Sequence, residues 1–185
     1  GRFKATPLMV GGRLYVNMPT SVGAAIDART GKTIWIYNPK TYEAGTTTMS
    51  ARWIQRGVAY WTDGTEERVL WGTSNGYLVA VDAETGHPVE SFGEAGRIDL
   101  MAGLPNTERG RRDWLNALTY SVQSPPIVVG DTVVTPASIS SYNINKEQVP
   151  GWTRGWDART GERKWTFRTV PQGDDFGNDT WEGDS

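Results

Sequence analysis

The chain has 185 residues, 37% of them hydrophobic and 22% charged, enough for one ordinary domain with a real core. Its net charge of −2 excludes a sequence-wide basic field for nucleic acid, and the lack of cysteine excludes disulfides, thiolate metal sites and a cysteine nucleophile. No apolar run approaches the roughly 18 residues of a membrane span.

Glycine (22) and proline (10) announce many turns, and nine tryptophans call for a packing role that a disordered chain would not need. From the N-terminus, Leu8-Met9-Val10 and Leu14-Tyr15-Val16 flank Gly11-Gly12 and predict a hairpin. A strand then runs into Asp27, and Asp27-Ala28-Arg29-Thr30-Gly31 predicts a tight turn. Asp and Thr side chains bond local backbone there, and the glycine takes the positive-φ position. The next strand carries Trp35, placed to fold back between neighbouring sheets. Val69-Leu70-Trp71-Gly72 and Tyr77-Leu78-Val79-Ala80 flank the Asn75-Gly76 turn, and Asp82-Ala83-Glu84-Thr85-Gly86 repeats the earlier turn. A short helix is predicted over Asp113-Trp114-Leu115-Asn116-Ala117-Leu118. Ile127-Val128-Val129 and Val133-Val134 flank Gly130-Asp131, and Asp157-Ala158-Arg159-Thr160-Gly161 is the third copy of the turn, with Trp165 four residues beyond its glycine.

Each unit thus has about four short strands, the make-up of a β-propeller blade, so the fold class is all-β with four-stranded antiparallel blades. The aspartates of the three copies stand 55 and 75 residues apart, against about 40–50 for a bare blade. The surplus lies in connections at roughly 38–56, 92–121 and 138–154, and long loops on a regular scaffold usually carry function. Roughly three blades cannot close a ring. Residues 1–185 are therefore expected to be one partial propeller domain that begins and ends inside the ring, with no initiator Met and further chain completing it.

The pattern Ala-x-Asp-x-x-Thr-Gly-x-x-x-Trp resembles the tryptophan-docking motif of the pyrroloquinoline quinone (PQQ) dependent dehydrogenases. Residues 25–35 match it fully, residues 80–90 carry Glu90 in place of the Trp, and residues 155–165 carry Gly155 in place of the Ala. Phe3-Lys4-Ala5-Thr6-Pro7-Leu8, Arg56-Gly57-Val58-Ala59-Tyr60-Trp61, Gly96-Arg97-Ile98-Asp99-Leu100, Ser124-Pro125-Pro126 and the tail Asp175-Phe176-Gly177-Asn178-Asp179-Thr180-Trp181 are similar to the same family, most of all to its membrane-type glucose dehydrogenase branch. The resemblance implies an eight-bladed parent propeller, PQQ and Ca2+ as cofactors, and oxidation of an alcohol or aldose. Electrons would pass to a membrane quinone or a cytochrome, in the periplasm.

PQQ is a planar tricarboxylic ortho-quinone, so its site needs cations for the carboxylates, flat apolar surfaces for the ring, and oxygen ligands for calcium. The resemblance places Arg56 against the cofactor. A guanidinium binds carboxylate bidentately and stays charged, although a surface Arg paired with a neighbouring blade is the competing reading. Arg52 stands where the glucose dehydrogenase branch has a histidine, and either adds charge against a carboxylate or is a solvated loop arginine. Gln123 and Ser124 fall where the family contributes a hydroxyl-bearing contact at the start of a strand, with ordinary strand capping before Pro125-Pro126 as the competing reading. Ser138 lies in the loop that supplies cofactor contacts. In that loop Ser141 stands where an acidic calcium ligand is expected, which either weakens a metal site at Ser141 and Asn143 or hands the acidic ligand's role to Asn143 or to residues outside this chain. The general-base aspartate of the family is expected beyond Ser185.

Other polar groups read as solvated. Asp174, Asp175, Asp179, Glu182 and Asp184 form a loop, Arg109, Arg111 and Arg112 sit beside Glu108 and Asp113, and His87, the only histidine, occupies a turn. Two other functions compete. A non-catalytic propeller could serve as a protein-binding scaffold in the cell envelope, which predicts no convergent cation, and a sugar-binding propeller would need exposed aromatics on one face.

Overall fold

The computed structural model describes residues 3–44, 54–105, 120–139 and 149–180. Arg52, Ser141, Asn143, the helix predicted at 113–118 and the cluster Arg109, Arg111 and Arg112 lie outside the described residues.

Strands β1 (Leu8–Val10), β2 (Arg13–Asn17), β3 (Gly23–Asp27) and β4 (Thr33–Tyr37) form a first antiparallel sheet in chain order. A second sheet contains β5 (Ala59–Thr62), β6 (Glu67–Gly72), β7 (Tyr77–Asp82) and β8 (Arg97–Asp99). After β9 (Tyr120–Ser121), the third sheet runs β10 (Ile127–Val129), β11 (Thr132–Thr135), β13 (Thr153–Asp157) and β14 (Arg163–Phe167). Between β11 and β13, β12 (Ser138–Ile139) leaves the sheet to pair with β9. Among the described residues there is no α-helix.

The predicted hairpins form. Gly11 and Gly12 at φ 55° and 79° make the tight turn that pairs Val10 with Arg13. The three Asp-Ala-x-Thr-Gly turns share one set of bonds. Asp27 accepts the N–H groups of Arg29 and Thr30 at 2.9 and 2.7 Å, Asp82 those of Glu84 and Thr85 at 3.2 and 2.8 Å, and Asp157 those of Arg159 and Thr160 at 2.8 and 3.0 Å. Burial pushes the Asp157 carboxyl up, but the Thr160 and Arg159 amides and the Lys164 ammonium outweigh it and hold the group at about 2, below its ordinary 3.8. Its folded value is depressed, so the stability it contributes is complete above 3.8 and is lost as pH falls through about 2. Thermal melts across that window should show the loss in the wild-type protein and a flatter profile in Asp157→Asn.

The second copy departs from the expected strand. Pro88 lacks an N–H, and beyond one bridge to Val81 the chain does not continue as a strand. The fourth strand is instead β8, so the connection assigned to 92–121 contains part of the sheet. Gly155, the departure in the third copy, has a steric reason. It pairs with Trp165, and a Cβ there would lie 2.2 Å from the indole.

The sheets stack face to face. Val69, Trp71, Val79 and Val81 of the second sheet pack on Tyr15, Ala25 and Trp35 of the first. The alternate residues Leu70, Leu78 and Ala80 pack with Phe92, Ile98 and Leu100 against Val133, Trp156 and Ala158. Both faces of the second sheet are thus buried, which explains its near-continuous apolar strands. The first and third sheets each leave apolar side chains open, among them Met9, Ile34, Ile36, Ile127, Val129 and Phe167.

The two junctions are built on one carbonyl position. At the first, the Trp35 indole lies over Gly86 and donates to Ala83 O at 3.0 Å, and the Tyr15 hydroxyl donates to the same oxygen at 3.1 Å. At the second, where Glu90 replaces the Trp, Ala158 O accepts from the buried Arg68 Nη1 at 2.8 Å. The same nitrogen reaches Arg159 O at 2.6 Å, and Gly93 N–H donates to Thr160 O at 2.9 Å. Trp165 is 41% exposed, against 7% for Trp35.

Candidate polar site at one end of the sheets

In each sheet the first-to-second and third-to-fourth strand connections lie at one end, and the remaining connections lie at the other. The Asp-Ala-x-Thr-Gly turns mark the first end, where Arg159 bridges Asp131 at 2.7 Å and Asp63 at 3.3 Å, and the Trp61 indole donates to Asp131 at 3.1 Å. These contacts cement the second and third sheets. Hydrogen bonds from Arg159 and then Trp61 hold the Asp131 carboxyl below its ordinary range.

The opposite end gathers the described residues that the sequence singled out. Arg56 lies just before β5, in the connection from the first sheet to the second, and Gln123 and Ser124 lie just before β10, in the connection from the second to the third. The Arg56 N–H donates to Gln123 O at 3.1 Å, and Arg56 O accepts the Thr6 N–H at 3.0 Å. Ser138 sits directly across from Ser121 in the β9–β12 pair, two residues ahead of Gln123. Cross-strand partners share a face, so the Ser121 and Ser138 side chains project together. Arg56, Gln123 and Ser138 are therefore brought together at one end. Arg56 is exposed, Ser124 and Ser138 are half-buried, and Gln123 is buried. No ion pair to the Arg56 guanidinium occurs among the described residues.

The rest of the Arg-Gly-Val-Ala-Tyr-Trp string is structural. Tyr60 stacks on Tyr15 with ring centroids 6.2 Å apart, and burial followed by the Glu67 carboxylate pushes its phenol up to about 12. Trp61 is buried in the second junction. His87 is exposed in its turn, and Asp175 is engaged by Arg168 at 2.6 Å, in keeping with local roles for both. Among the described residues no three His, Cys, Asp or Glu side chains are grouped to hold a metal ion.

Four polar residues at this end carry no sequence signal. Ser121 is fully buried, and its Oγ has no hydrogen-bond partner among the described residues. Asn17, Ser21 and Gln55 are buried and bonded to one another. Gln55 adjoins the recognisable Arg56, and only its burial sets it apart from a surface glutamine. This end thus holds an exposed cation, a buried orphan hydroxyl and half-buried serines, a donor set that suits an anionic, oxygen-rich ligand.

The family model described as the PQQ glucose/ethanol/alcohol dehydrogenase β-propeller domain matches residues 1–185. The quinoprotein glucose dehydrogenase of Escherichia coli (strain K12) is 30% identical over 175 residues, 89% of this chain and 20% of that protein. The quinohemoprotein alcohol dehydrogenase ADH-IIG of Pseudomonas putida is 31% identical over 193 residues, 98% of this chain and 23% of that protein. Its solved structure superposes with a TM-score of 0.70 at 30% identity, covering 92% of this chain and 21% of that one. That of the Comamonas testosteroni quinohemoprotein alcohol dehydrogenase gives 0.65 at 30% identity, covering 92% and 21%. The chain spans about a fifth of the length of these relatives. Sheets, turns and comparisons agree: this chain belongs to the β-propeller domain family of the PQQ-dependent glucose, ethanol and alcohol dehydrogenases.

Proposed function

We propose that this chain supplies part of the cofactor-binding end of a PQQ-dependent dehydrogenase that oxidises an alcohol or an aldose. The observation that carries the reading is the joining of Arg56 to Gln123 at the same end as the Ser121–Ser138 pair. The buried Ser121 hydroxyl lacks a partner among the described residues, which fits a ligand rich in carboxylate and carbonyl oxygens. In this reading Arg56 binds a cofactor carboxylate, and Gln123, Ser124 and Ser138 hydrogen-bond its other oxygens. Arg52, four residues before Arg56, adds a second cation. PQQ, when bound, accepts the hydride of the substrate carbon.

Ser141 and Asn143 are the calcium ligands proposed from this chain. Both donors are neutral, and calcium favours charged oxygens, so carboxylates from the rest of the full-length protein complete the site. The general-base aspartate comes from the same source. The open apolar faces of the first and third sheets are covered by the remaining sheets of the propeller. The proposed setting is the periplasm, with a membrane quinone or a cytochrome as electron acceptor.

The test is a titration of the full-length apo-protein with PQQ plus Ca2+, followed by cofactor absorbance and by dye reduction with a panel of alcohols and aldoses. Arg56→Ala should weaken cofactor binding about 10- to 100-fold, the worth of a charge-assisted bidentate pair. Absence of binding at high micromolar PQQ, or binding unchanged in Arg56→Ala, overturns the reading and leaves a propeller scaffold.

A further inference from the structure

Arg56 is exposed, yet the chain on either side of it is held with unusual completeness. Gln55 is 3% exposed. Its Oε1 accepts from Asn17 Nδ2 at 3.2 Å, and its Nε2 donates to Ser21 Oγ at 3.2 Å. The Asn17 amide also donates to Gly57 O at 2.9 Å. The residues before and after Arg56 are thus bonded to the first sheet, while the Arg56 peptide groups are bonded to Thr6 and Gln123.

The anchor is itself fixed. Ser21 Oγ accepts the Ser74 N–H at 3.0 Å and lies 3.3 Å from Ser74 Oγ, and Ser21 O accepts the Trp71 indole N–H at 2.9 Å. Thr20 and Ser21 adopt φ 71° and 65°, left-handed values that side-chain-bearing residues rarely take. Asn17 Oδ1 is buried with no donor among the described residues. A connection serving only to join two sheets would gain by an apolar filling and a relaxed turn, since strained backbone and an orphan acceptor each cost stability.

We propose that Gln55, Asn17 and Ser21 are positioning residues for Arg56, holding its backbone on both sides so that the guanidinium is presented to a carboxylate of the quinone cofactor. This rests on the reading of Arg56 given above. Preorganisation of this kind removes from binding the ordering cost of the segment that carries the cation.

The test is a double-mutant cycle in the full-length protein, read by PQQ titration in the presence of Ca2+, with unfolding curves to confirm that each variant is folded. Gln55→Met keeps the volume and removes both bonds. It should weaken PQQ binding about tenfold and accelerate hydrogen exchange at the Arg56 amide. In the Arg56→Ala background the same substitution should leave PQQ affinity unchanged, because the residue acts only through the guanidinium. If Gln55→Met fails to fold, Ser21→Gly replaces it, since glycine relaxes the left-handed turn while deleting the hydroxyl. Wild-type affinity in Gln55→Met with weakened binding in Arg56→Ala overturns the positioning role and leaves the site intact. Equal losses in both backgrounds show a structural effect and also overturn it. Unchanged affinity in Arg56→Ala overturns the site reading and this proposal together.

Discussion

Trp35→Ala is expected to cost about 3–5 kcal/mol of folding stability, the range for removing a large aromatic from a packed core. The indole is nearly buried, lies over Gly86 and fills the space between the first two sheets beside Tyr15, at 6.1 Å between ring centroids. Two terms are lost together, the ring contacts and the hydrogen bond to Ala83 O, and they can be separated. Trp35→Phe keeps a six-membered ring in the junction while deleting the N–H and the rest of the indole. Ala83 O would still accept the Tyr15 hydroxyl, so this variant should lose only about 1–2 kcal/mol. Denaturant midpoints for the three proteins check the division. Equal losses in the Phe and Ala variants would make the hydrogen bond dominant and contradict the packing account.

Arg68→Met should cost about 2–4 kcal/mol, for a different reason. The guanidinium is 3% exposed, and its removal leaves the Ala158 and Arg159 carbonyls without this donor, at roughly 1–3 kcal/mol for each buried group left unpaired. Its acidic partner Glu66 has a side chain 56% exposed and returns to water at little cost, so carbonyl desolvation decides the magnitude. The Trp61 ring, 5.1 Å from the guanidinium carbon, loses a cation–π contact as well. Lysine at position 68 supplies one ammonium where the fork served two carbonyls and a carboxylate, so it should recover only part of the loss. A thermal shift indistinguishable from wild type for Arg68→Met would show that Phe92 and Gly93 hold the junction without it.

Where a turn is made from its own residues, the fold was legible. Gly11-Gly12 and the three Asp-Ala-x-Thr-Gly segments close through bonds within a few residues, so local chemistry suffices to predict them. The second copy was less legible. Its fourth strand depends on what Pro88 cannot donate and on Phe92 and Gly93 docking on a turn some 70 residues away in the chain. Arg68 was missed because it follows Glu66 and Glu67, a charge run that reads as solvated until the third sheet buries it. At the candidate site Arg56 carried a recognisable string, and the fold joins its N–H to Gln123 O. Gln55, Asn17, Ser21 and Ser121 are ordinary polar residues with no spacing rule. Only burial against other sheets distinguishes them.

The carbonyl of the alanine after each turn aspartate works as a socket, and each described junction fills it with a different plug: an indole and a phenol at Ala83, a guanidinium at Ala158. A repeated architecture with identical junctions would allow its units to exchange partners, within one chain or between two. Here a swap would set a charged fork against a pocket shaped for an aromatic ring, or a ring against two carbonyls that need a fork. Unequal plugs in equal sockets give each sheet its own neighbour, so the order of the units is written into their contacts as well as into the chain that links them.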